Sequence, residues 1–220
     1  MMLTKVQLQE VSDTMRQMFP DAHCELTHQN PFELVVAVAL SAQATDALVN
    51  KVTPGLFEAF PTVEAMAAAD VSEIEALIKR IGLYRNKAKN VKALSEKIVN
   101  EHNGIVPSDR ASLEALPGVG RKTANVVLSV AFHEPAFAVD THVERVSKRL
   151  GICRWKDNVR QVEDTLMKKF PREEWSQLHH QFIFFGRYHC KAQRPACETC
   201  PLLHMCREGK KRMKSAKVTT

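Results

Sequence analysis

The stretch from residue 116 to residue 128, LPGVGRKTANVVL, constrains the fold more than any other part of the sequence. Pro117 holds its own φ near the value that a turn requires, and Gly118 and Gly120 can adopt positive φ. Apolar residues follow the turn at helical spacing, and residues 108–115 can form a short helix before it. The stretch therefore predicts a helix, a tight hairpin and a second helix, whose first backbone N–H groups form a site for an anion.

Two other glycine-rich motifs do not fit this hairpin. A Walker A loop has glycine directly before Lys-Thr, where this chain has Arg121, and a dinucleotide fingerprint requires glycine at the position of Thr123. No strand is predicted before the hairpin. Two interpretations remain: a turn whose backbone amides hold a phosphate without reading bases, or an ordinary turn between packed helices.

Lys122 lies in the first turn of the second helix, beside the predicted anion site. An ordinary lysine has a pKa of about 10.4, so at pH 7 only about one in 2500 is a neutral nucleophile. Burial and the positive end of the helix dipole lower such a pKa, whereas a nearby carboxylate raises it. The residues alone are compatible with a nucleophile and with an exposed lysine that pairs with phosphate.

Four of the six cysteines form a compact group near the C-terminus, with the pattern Cys190-x6-Cys197-x2-Cys200-x5-Cys206. No signal peptide or membrane-length apolar run is predicted, so we expect a cytoplasmic protein whose thiols are reduced. Four clustered thiols in such a protein indicate a metal site. The number of ligands leaves zinc and an iron–sulfur cluster both open.

The formal net charge of +6 is typical of a protein with a polyanionic partner, although it does not identify one. Most of this charge lies in residues 207–220, which carry six basic residues and one acid. One interpretation of this segment is a solvated, disordered tail; we expect it to be frayed at its end, and it could also touch a DNA backbone.

Helical apolar spacing runs through the whole chain, and no convincing strand is found, so the predicted class is all-α. Ser108 is the predicted N-cap of the short helix before the hairpin. Two capping boxes are also predicted, each with its capping residue three positions before a glutamate. The two pairs are Ser72 with Glu75 and Thr141 with Glu144.

The run from Glu114 to Val127, the segment VDTHVERV at residues 139–146 and the four-cysteine pattern together resemble the endonuclease III family, over about residues 20–210. Its members are helix–hairpin–helix DNA glycosylases with lyase activity. The resemblance implies two helical domains that flank a DNA-binding cleft. A six-helix domain would span 24–134, with the helix–hairpin–helix at about 108–132, and the other would combine 1–23 with 135–220.

The resemblance also implies the chemistry. Lys122 corresponds to the family's nucleophile and Asp140 to its aspartate. The amine attacks the sugar C1′, expels the damaged base and forms a Schiff base, after which β-elimination nicks the strand. Asp140 could deprotonate the lysine or stabilise the sugar cation, and as an aspartate before a predicted helix it could equally be an N-cap alone.

By the same resemblance the cysteine loop holds a [4Fe-4S] cluster that stabilises the loop, and a monovalent cation binds the carbonyl oxygens of Glu114, Leu116 and Val119. The enzyme must flip its target nucleotide out of the duplex. Gln43 and Leu83 are the residues implied to fill the gap. The further DNA contacts that we predict are Gly118, Gly120, Arg121, Lys191 and Arg194.

The implied partner is double-stranded DNA that contains damaged bases or abasic sites, with oxidised pyrimidines such as thymine glycol as substrates. We expect a monomer associated with the nucleoid and not with a membrane. Two alternative functions share part of this pattern. An adenine glycosylase of the same superfamily normally lacks the lysine and has a further C-terminal domain, and a non-catalytic helix–hairpin–helix protein would not need both Lys122 and Asp140.

Overall fold

The computed structural model describes residues 3–216, and every regular element in that range is a helix, as the all-α prediction requires. The twelve α-helices are α1 (Lys5–Met18), α2 (Pro31–Leu40), α3 (Asp46–Ala59), α4 (Val63–Ala68), α5 (Val71–Ile78), α6 (Tyr84–His102), α7 (Arg110–Glu114), α8 (Arg121–Ala131), α9 (Thr141–Leu150), α10 (Val159–Lys169), α11 (Trp175–Phe184) and α12 (Arg207–Ala216). A 3-10 turn (Arg172–Glu174) precedes α11, and a π-helical turn (Phe185–His189) follows it. None of the described helices is both long and apolar enough to span a membrane.

The chain divides into two compact units. Residues 25–134 form one unit, and the second combines the chain up to Cys24 with the chain from Pro135 onward. The unit of residues 25–134 contains seven helices, α2 to α8, where the resemblance implied six.

Helix α2 is the central helix of the 25–134 unit. Asn30 caps it by accepting a hydrogen bond from the backbone N–H of Glu33 (2.9 Å), and Pro31 occupies its first position, where a missing N–H costs nothing. The helix is apolar on almost every side, so it is buried along nearly its whole length. It packs against α3, α6 and α8, and so helps to anchor the helix that carries Lys122.

The core of the second unit combines aliphatic residues with a cluster of phenylalanines. Phe137, Phe182 and Phe185 are fully buried there. The rings of Phe137 and Phe182 meet edge to face, with centroids 6.1 Å apart, and Phe170 contacts Phe182 in the same way. Helix α9 packs against α10, α11, α12 and the π-helical turn, so this core supports the helix that begins after Asp140.

Two predicted helix starts were wrong by one or two residues. Asp70, not Ser72, is the N-cap of α5, where its backbone N–H donates to the side chain of Glu73 (2.9 Å). Asp109, not Ser108, caps α7. In both cases an aspartate adopts the extended backbone that a cap requires, and Ser72 then falls inside the first helical turn.

The described part of the basic C-terminal segment does not follow the interpretation as a disordered tail. Residues 207–216 form α12 rather than a disordered tail, and α12 packs against α9. Its start is held by the cysteine loop, because the Gly209 N–H donates to the Cys206 sulfur (3.3 Å). Lys217, the last basic residue counted in the predicted tail, lies outside the described residues.

Candidate functional site

The hairpin between α7 and α8 is a tight hydrogen-bonded turn. The Val119 N–H donates to the Leu116 carbonyl (3.0 Å), and Gly118 has φ +76°. A Cβ atom at Gly118 would lie 2.9 Å from the Cβ of Asn90, so both the backbone and the space require glycine. Gly120 does not use the positive φ that glycine allows, because its φ is −93°. A Cβ there would meet nothing within 4 Å, which leaves open space in front of the start of α8.

Lys122 is the second residue of α8 and is half-buried. The helix that carries it is well anchored: Ala124 to Ser129 are buried, and the Arg110 guanidinium of α7 donates to the side chain of buried Asn125. Arg121, one residue earlier, lies 3.3 Å from the Glu114 carboxylate. This ion pair joins the two ends of the hairpin, so Arg121 is both a potential phosphate contact and a structural partner of Glu114.

Asp140 is the N-cap of α9. Its Oδ1 accepts hydrogen bonds from the backbone N–H groups of His142 and Val143, both at 2.8 Å. The predicted capping box of Thr141 with Glu144 was therefore wrong, because Asp140 already occupies the cap position and Thr141 is the first helical residue. Both cap bonds converge on Oδ1, so Oδ2 is not needed to cap the helix.

His142 has a structural partner. The Arg145 guanidinium donates to His142 Nδ1 (3.1 Å) and to the carbonyl of Gly186 (2.8 Å). Arginine has no acceptor atom, so Nδ1 must be the acceptor in the first bond. A Cβ at Gly186 would lie 2.8 Å from the His142 Cβ, so the start of α9 packs directly on the π-helical turn.

The four cysteines of the C-terminal pattern line one cavity, whose other walls are mainly apolar. Within residues 3–216 no three His, Cys, Asp or Glu side chains are arranged to hold a single metal ion. Four thiols that line one cavity form a donor set that can hold an iron–sulfur cluster. Burial raises the pKa of Cys200 to about 11 and also raises the pKa of Cys197 and of Cys206. Bound iron favours the thiolate against this desolvation.

Arg149 of α9 binds the backbone of the cysteine loop just after Cys190. Its guanidinium is buried and donates to the carbonyls of Lys191 (2.7 Å) and Ala192 (2.9 Å). The side chains of Lys191 and Arg194 are exposed on the same loop, and Arg194 has φ +47°. The loop thus presents two cations at its surface, while its backbone is fixed from the interior.

The two residues implied to enter DNA both have left-handed backbone conformations. Gln43 is exposed in the turn after α2, with φ +56°. Leu83 is the N-cap of α6, with φ +59°, and its side chain is 60% exposed. Positive φ is uncommon for residues other than glycine and is often found at functional sites. An exposed leucine in this conformation is not a core residue.

Two buried cations near the predicted site residues were not identified from the sequence. Lys87 is buried on α6, and Arg149 is buried on α9. A usable signal existed for Lys87, because it has helical spacing with buried Val91 and Leu94 and so lies on the apolar stripe of its helix. A lysine on such a stripe needs acceptors inside the protein.

The two remaining cysteines lie outside the cavity. Cys153 is buried, and burial together with nearby Asp157 raises the pKa of its thiol to about 12. It is therefore an unreactive core thiol. Cys24 is half-buried.

Two family models match the chain. Residues 36–172 match the HhH-GPD superfamily of base excision DNA repair proteins. Residues 190–206, which begin and end at the outer cysteines of the pattern, match the iron–sulfur binding domain of endonuclease III.

Individual proteins match over almost the full length. Endonuclease III of Bacillus subtilis is 63% identical over 217 residues, which is 99% of each chain. Endonuclease III of Escherichia coli K12 is 46% identical over 204 residues, 93% of this chain and 96% of that protein. A solved structure of a trapped endonuclease III–DNA covalent intermediate is 65% identical and has a TM-score of 0.94, covering 96% of this chain and all of that one.

Proposed function

Because the chain belongs to the endonuclease III family, within the HhH-GPD superfamily of base excision DNA repair proteins, we propose that Lys122 and Asp140 are its catalytic residues. The protein is a bifunctional DNA glycosylase and lyase at abasic sites, and it carries a [4Fe-4S] cluster. The assignment of Lys122 is supported by its place at the start of a firmly anchored helix, behind a hairpin with open space in front of it.

The reaction begins when the neutral Lys122 amine attacks C1′ of the deoxyribose and the glycosidic bond to the damaged base breaks. The ring then opens, and the product is a protonated imine between Lys122 and C1′. This cation acidifies the proton on C2′. Loss of that proton and departure of the 3′ phosphate complete β-elimination and leave a nick in the strand. The similarity to a trapped covalent intermediate of endonuclease III with DNA supports an enzyme–DNA bond of this kind.

Asp140 contributes a negative charge whose position is fixed by its two cap bonds. The carboxylate can stabilise positive charge on the sugar or receive the proton that Lys122 loses, and both roles use the same rigid group. Preorganised charge of this kind needs little rearrangement during the reaction.

Gln43 and Leu83 act on the duplex rather than on the glycosidic bond. A base inside the helix is inaccessible, so the target nucleotide must be extruded and its space filled. Gln43 is an exposed polar side chain that would face the unpaired base, and Leu83 is an exposed apolar wedge. Their fixed left-handed turns hold both side chains outward at little further entropic cost on binding.

The remaining contacts hold the DNA backbone. We place Gly118, Gly120 and Arg121 at a phosphate beside the start of α8, and Lys191 and Arg194 at a second backbone segment. Cys190, Cys197, Cys200 and Cys206 are the proposed ligands of the cluster, which cross-links the loop when bound. The monovalent cation at the carbonyls of Glu114, Leu116 and Val119 stays a prediction from the resemblance.

The proposed substrate is double-stranded DNA with oxidised pyrimidines or abasic sites, and the proposed acting form is a cytoplasmic, nucleoid-associated monomer. The matched structures include complexes of endonuclease III with DNA, which supports a DNA partner. Duplexes that each carry one defined lesion would measure the range of substrates.

Borohydride trapping tests the catalytic assignment. We expect the native protein to form a reducible covalent adduct with an abasic-site duplex and Lys122→Gln to form none, because the imine requires the amine. Lys122→Gln should also lose base release and nicking. Lys191→Gln is the matched control: it removes a lysine that is proposed to contact DNA, so it should weaken binding yet still form the adduct at saturating protein. Nicking by Lys122→Gln would contradict the assignment, and an adduct absent from the native protein would favour a non-catalytic DNA-binding protein.

A further inference from the structure

Lys87 is a buried cation to which the proposed mechanism gives no role. It lies on α6, four residues after Leu83, and is only 7% exposed. Its ammonium donates hydrogen bonds to the carbonyl of Leu40 (2.9 Å) and to the carbonyl of Ala42 (2.6 Å). Leu40 is the last residue of α2, and Ala42 directly precedes Gln43, so Lys87 holds the turn that presents Gln43.

The bond to Ala42 determines the conformation of that turn. The Ala44 N–H donates to the Ser41 carbonyl (3.0 Å), which makes Gln43 the third residue of a four-residue turn. In such turns the sign of φ at the third residue depends on which way the preceding peptide faces. Here that peptide joins Ala42 to Gln43, and its carbonyl points at the Lys87 ammonium. If this peptide rotated by about half a turn, it would lose the bond and give Gln43 a negative φ.

Lys87 is also bonded to the second protruding turn. Its backbone N–H donates to the Leu83 carbonyl (3.1 Å), which is the first helical hydrogen bond of α6. Lys87 therefore contacts the backbone of both protruding turns. Its side chain binds the turn of Gln43, and its main chain binds Leu83.

We infer that Lys87 is a positioning residue for nucleotide extrusion, which holds Gln43 in its left-handed conformation and sets its separation from Leu83. The inference rests on the proposed role of Gln43 and Leu83. Lys87 does not touch the reacting atoms, and it acts through the Ala42–Gln43 peptide.

The energetic balance favours a positioning role. Burial lowers the pKa of Lys87, so keeping an ammonium there has a desolvation cost. Two carbonyl acceptors offset it, and the Leu40 carbonyl lies at the C-terminal end of α2, where the helix dipole also favours a cation. The positive φ of Gln43 is a second cost. The native structure retains the buried ammonium and the positive φ, as expected if the left-handed conformation of Gln43 is needed for function.

The chain contains a closely matched control. Lys92 lies on the same helix, and its ammonium also donates to two carbonyls at a helix end, those of Ala67 (2.7 Å) and Ala69 (2.9 Å). Those carbonyls belong to α4 and its C-cap, not to the turn of Gln43. Lys92 is half-buried and also forms an ion pair with Glu96 (3.1 Å), so Lys92→Met removes the same two carbonyl contacts and one ion pair in addition. Only Lys87→Met releases Gln43.

The experiment measures base release in single turnovers from a duplex with a base-paired thymine glycol, and nicking of a preformed abasic site, with the full-length, cluster-loaded protein. We expect Lys87→Met to slow base release about tenfold or more and to change nicking by less than about threefold. A 2-aminopurine beside the lesion should report slower extrusion. Lys92→Met should lose a similar amount of thermal stability but keep both rates.

A double substitution tests whether Lys87 acts through Gln43. If it does, Lys87→Met should slow base release by less than about twofold when added to Gln43→Ala. If the two losses multiply, or if Lys87→Met and Lys92→Met have equal effects, the inference is wrong. If Gln43→Ala and Leu83→Ala both leave base release unchanged, the proposed role of those residues fails instead. If Lys87→Met is too unstable to assay, Lys87→Gln replaces it. We again expect base release to slow more than nicking, and more than in Lys92→Met.

Discussion

At the scale of single residues, Asp140 caps α9 and is also one of the two proposed catalytic residues. Its Oδ1 satisfies two N–H groups at the start of α9, which holds the carboxylate in a single position. An aspartate that only capped a helix could be replaced by asparagine at almost no cost, because both residues are good N-caps. Replacement by asparagine therefore separates the two roles.

We expect Asp140→Asn to change the free energy of unfolding by less than about 1 kcal/mol and to slow base release about a hundredfold, since only the charge is lost. Urea unfolding and single-turnover assays measure the two quantities. Binding to a duplex with a stable abasic-site analogue should stay within about threefold. If Asp140→Asn slows base release only as far as its loss of folded protein explains, Asp140 acts as a cap alone.

Leu83 is the second residue whose role can be isolated, because its exposed side chain contributes little to folding. Leu83→Ala should leave the unfolding free energy within about 0.5 kcal/mol and slow base release from a paired lesion about tenfold, with less effect at a preformed abasic site. Ile105→Ala is the control, since Ile105 is 72% exposed in the same unit. If both substitutions slow the reaction alike, Leu83 has no specific role as a wedge.

At the scale of elements, the structure of the hairpin gives different roles to two glycines that look equivalent in the sequence. Gly118 combines positive φ with a close approach to Asn90, whereas Gly120 has an ordinary backbone and open space around it. The first glycine therefore maintains the shape of the turn. The second leaves room for a ligand at the N-terminus of α8.

We expect Gly118→Ala to destabilise the protein by about 1–3 kcal/mol, because it adds strain at positive φ and a contact with Asn90. Gly120→Ala should leave stability nearly unchanged and weaken binding to duplex DNA, since its methyl group would occupy the space in front of the helix. Denaturant unfolding and DNA titrations distinguish the two. Loss of stability in Gly120→Ala, with DNA affinity retained, would contradict the assignment of this space to a phosphate.

At the scale of the whole molecule, the cysteine loop is joined to the helices on either side of it. Arg149 holds the loop backbone from α9, and the first turn of α12 bonds to the Cys206 sulfur. Loss of the cluster should therefore loosen residues 190–206 and α12 first. The 25–134 unit has its own core around α2 and should remain folded.

We expect chelation or oxidation of the cluster to increase amide hydrogen exchange in the loop and in α12 and to weaken DNA binding, because Lys191 and Arg194 lose their fixed positions. Exchange measured by mass spectrometry tests the first effect and DNA titration the second. Exchange in α2 and α8 should not change. Zinc rather than iron in the freshly purified protein would overturn the cluster assignment.

The sequence by itself determined the features that depend on near neighbours along the chain. The helix–hairpin–helix, the position of Lys122 at a helix start and the grouping of the four cysteines all follow from spacing within about twenty residues. Helix starts were less certain, because serine, threonine and aspartate compete for the same cap, and at α5, α7 and α9 the aspartate was the N-cap.

Only the tertiary structure decided what depends on residues far apart in the chain. Lys87 reaches carbonyls 45 and 47 positions away, and Arg149 reaches carbonyls more than 40 positions away. The left-handed conformation of Gln43 is part of the same arrangement, since the peptide before it is held by Lys87. Helical spacing can indicate that Lys87 is buried, but it does not identify the partners of a buried cation, because these are backbone carbonyls that every residue possesses.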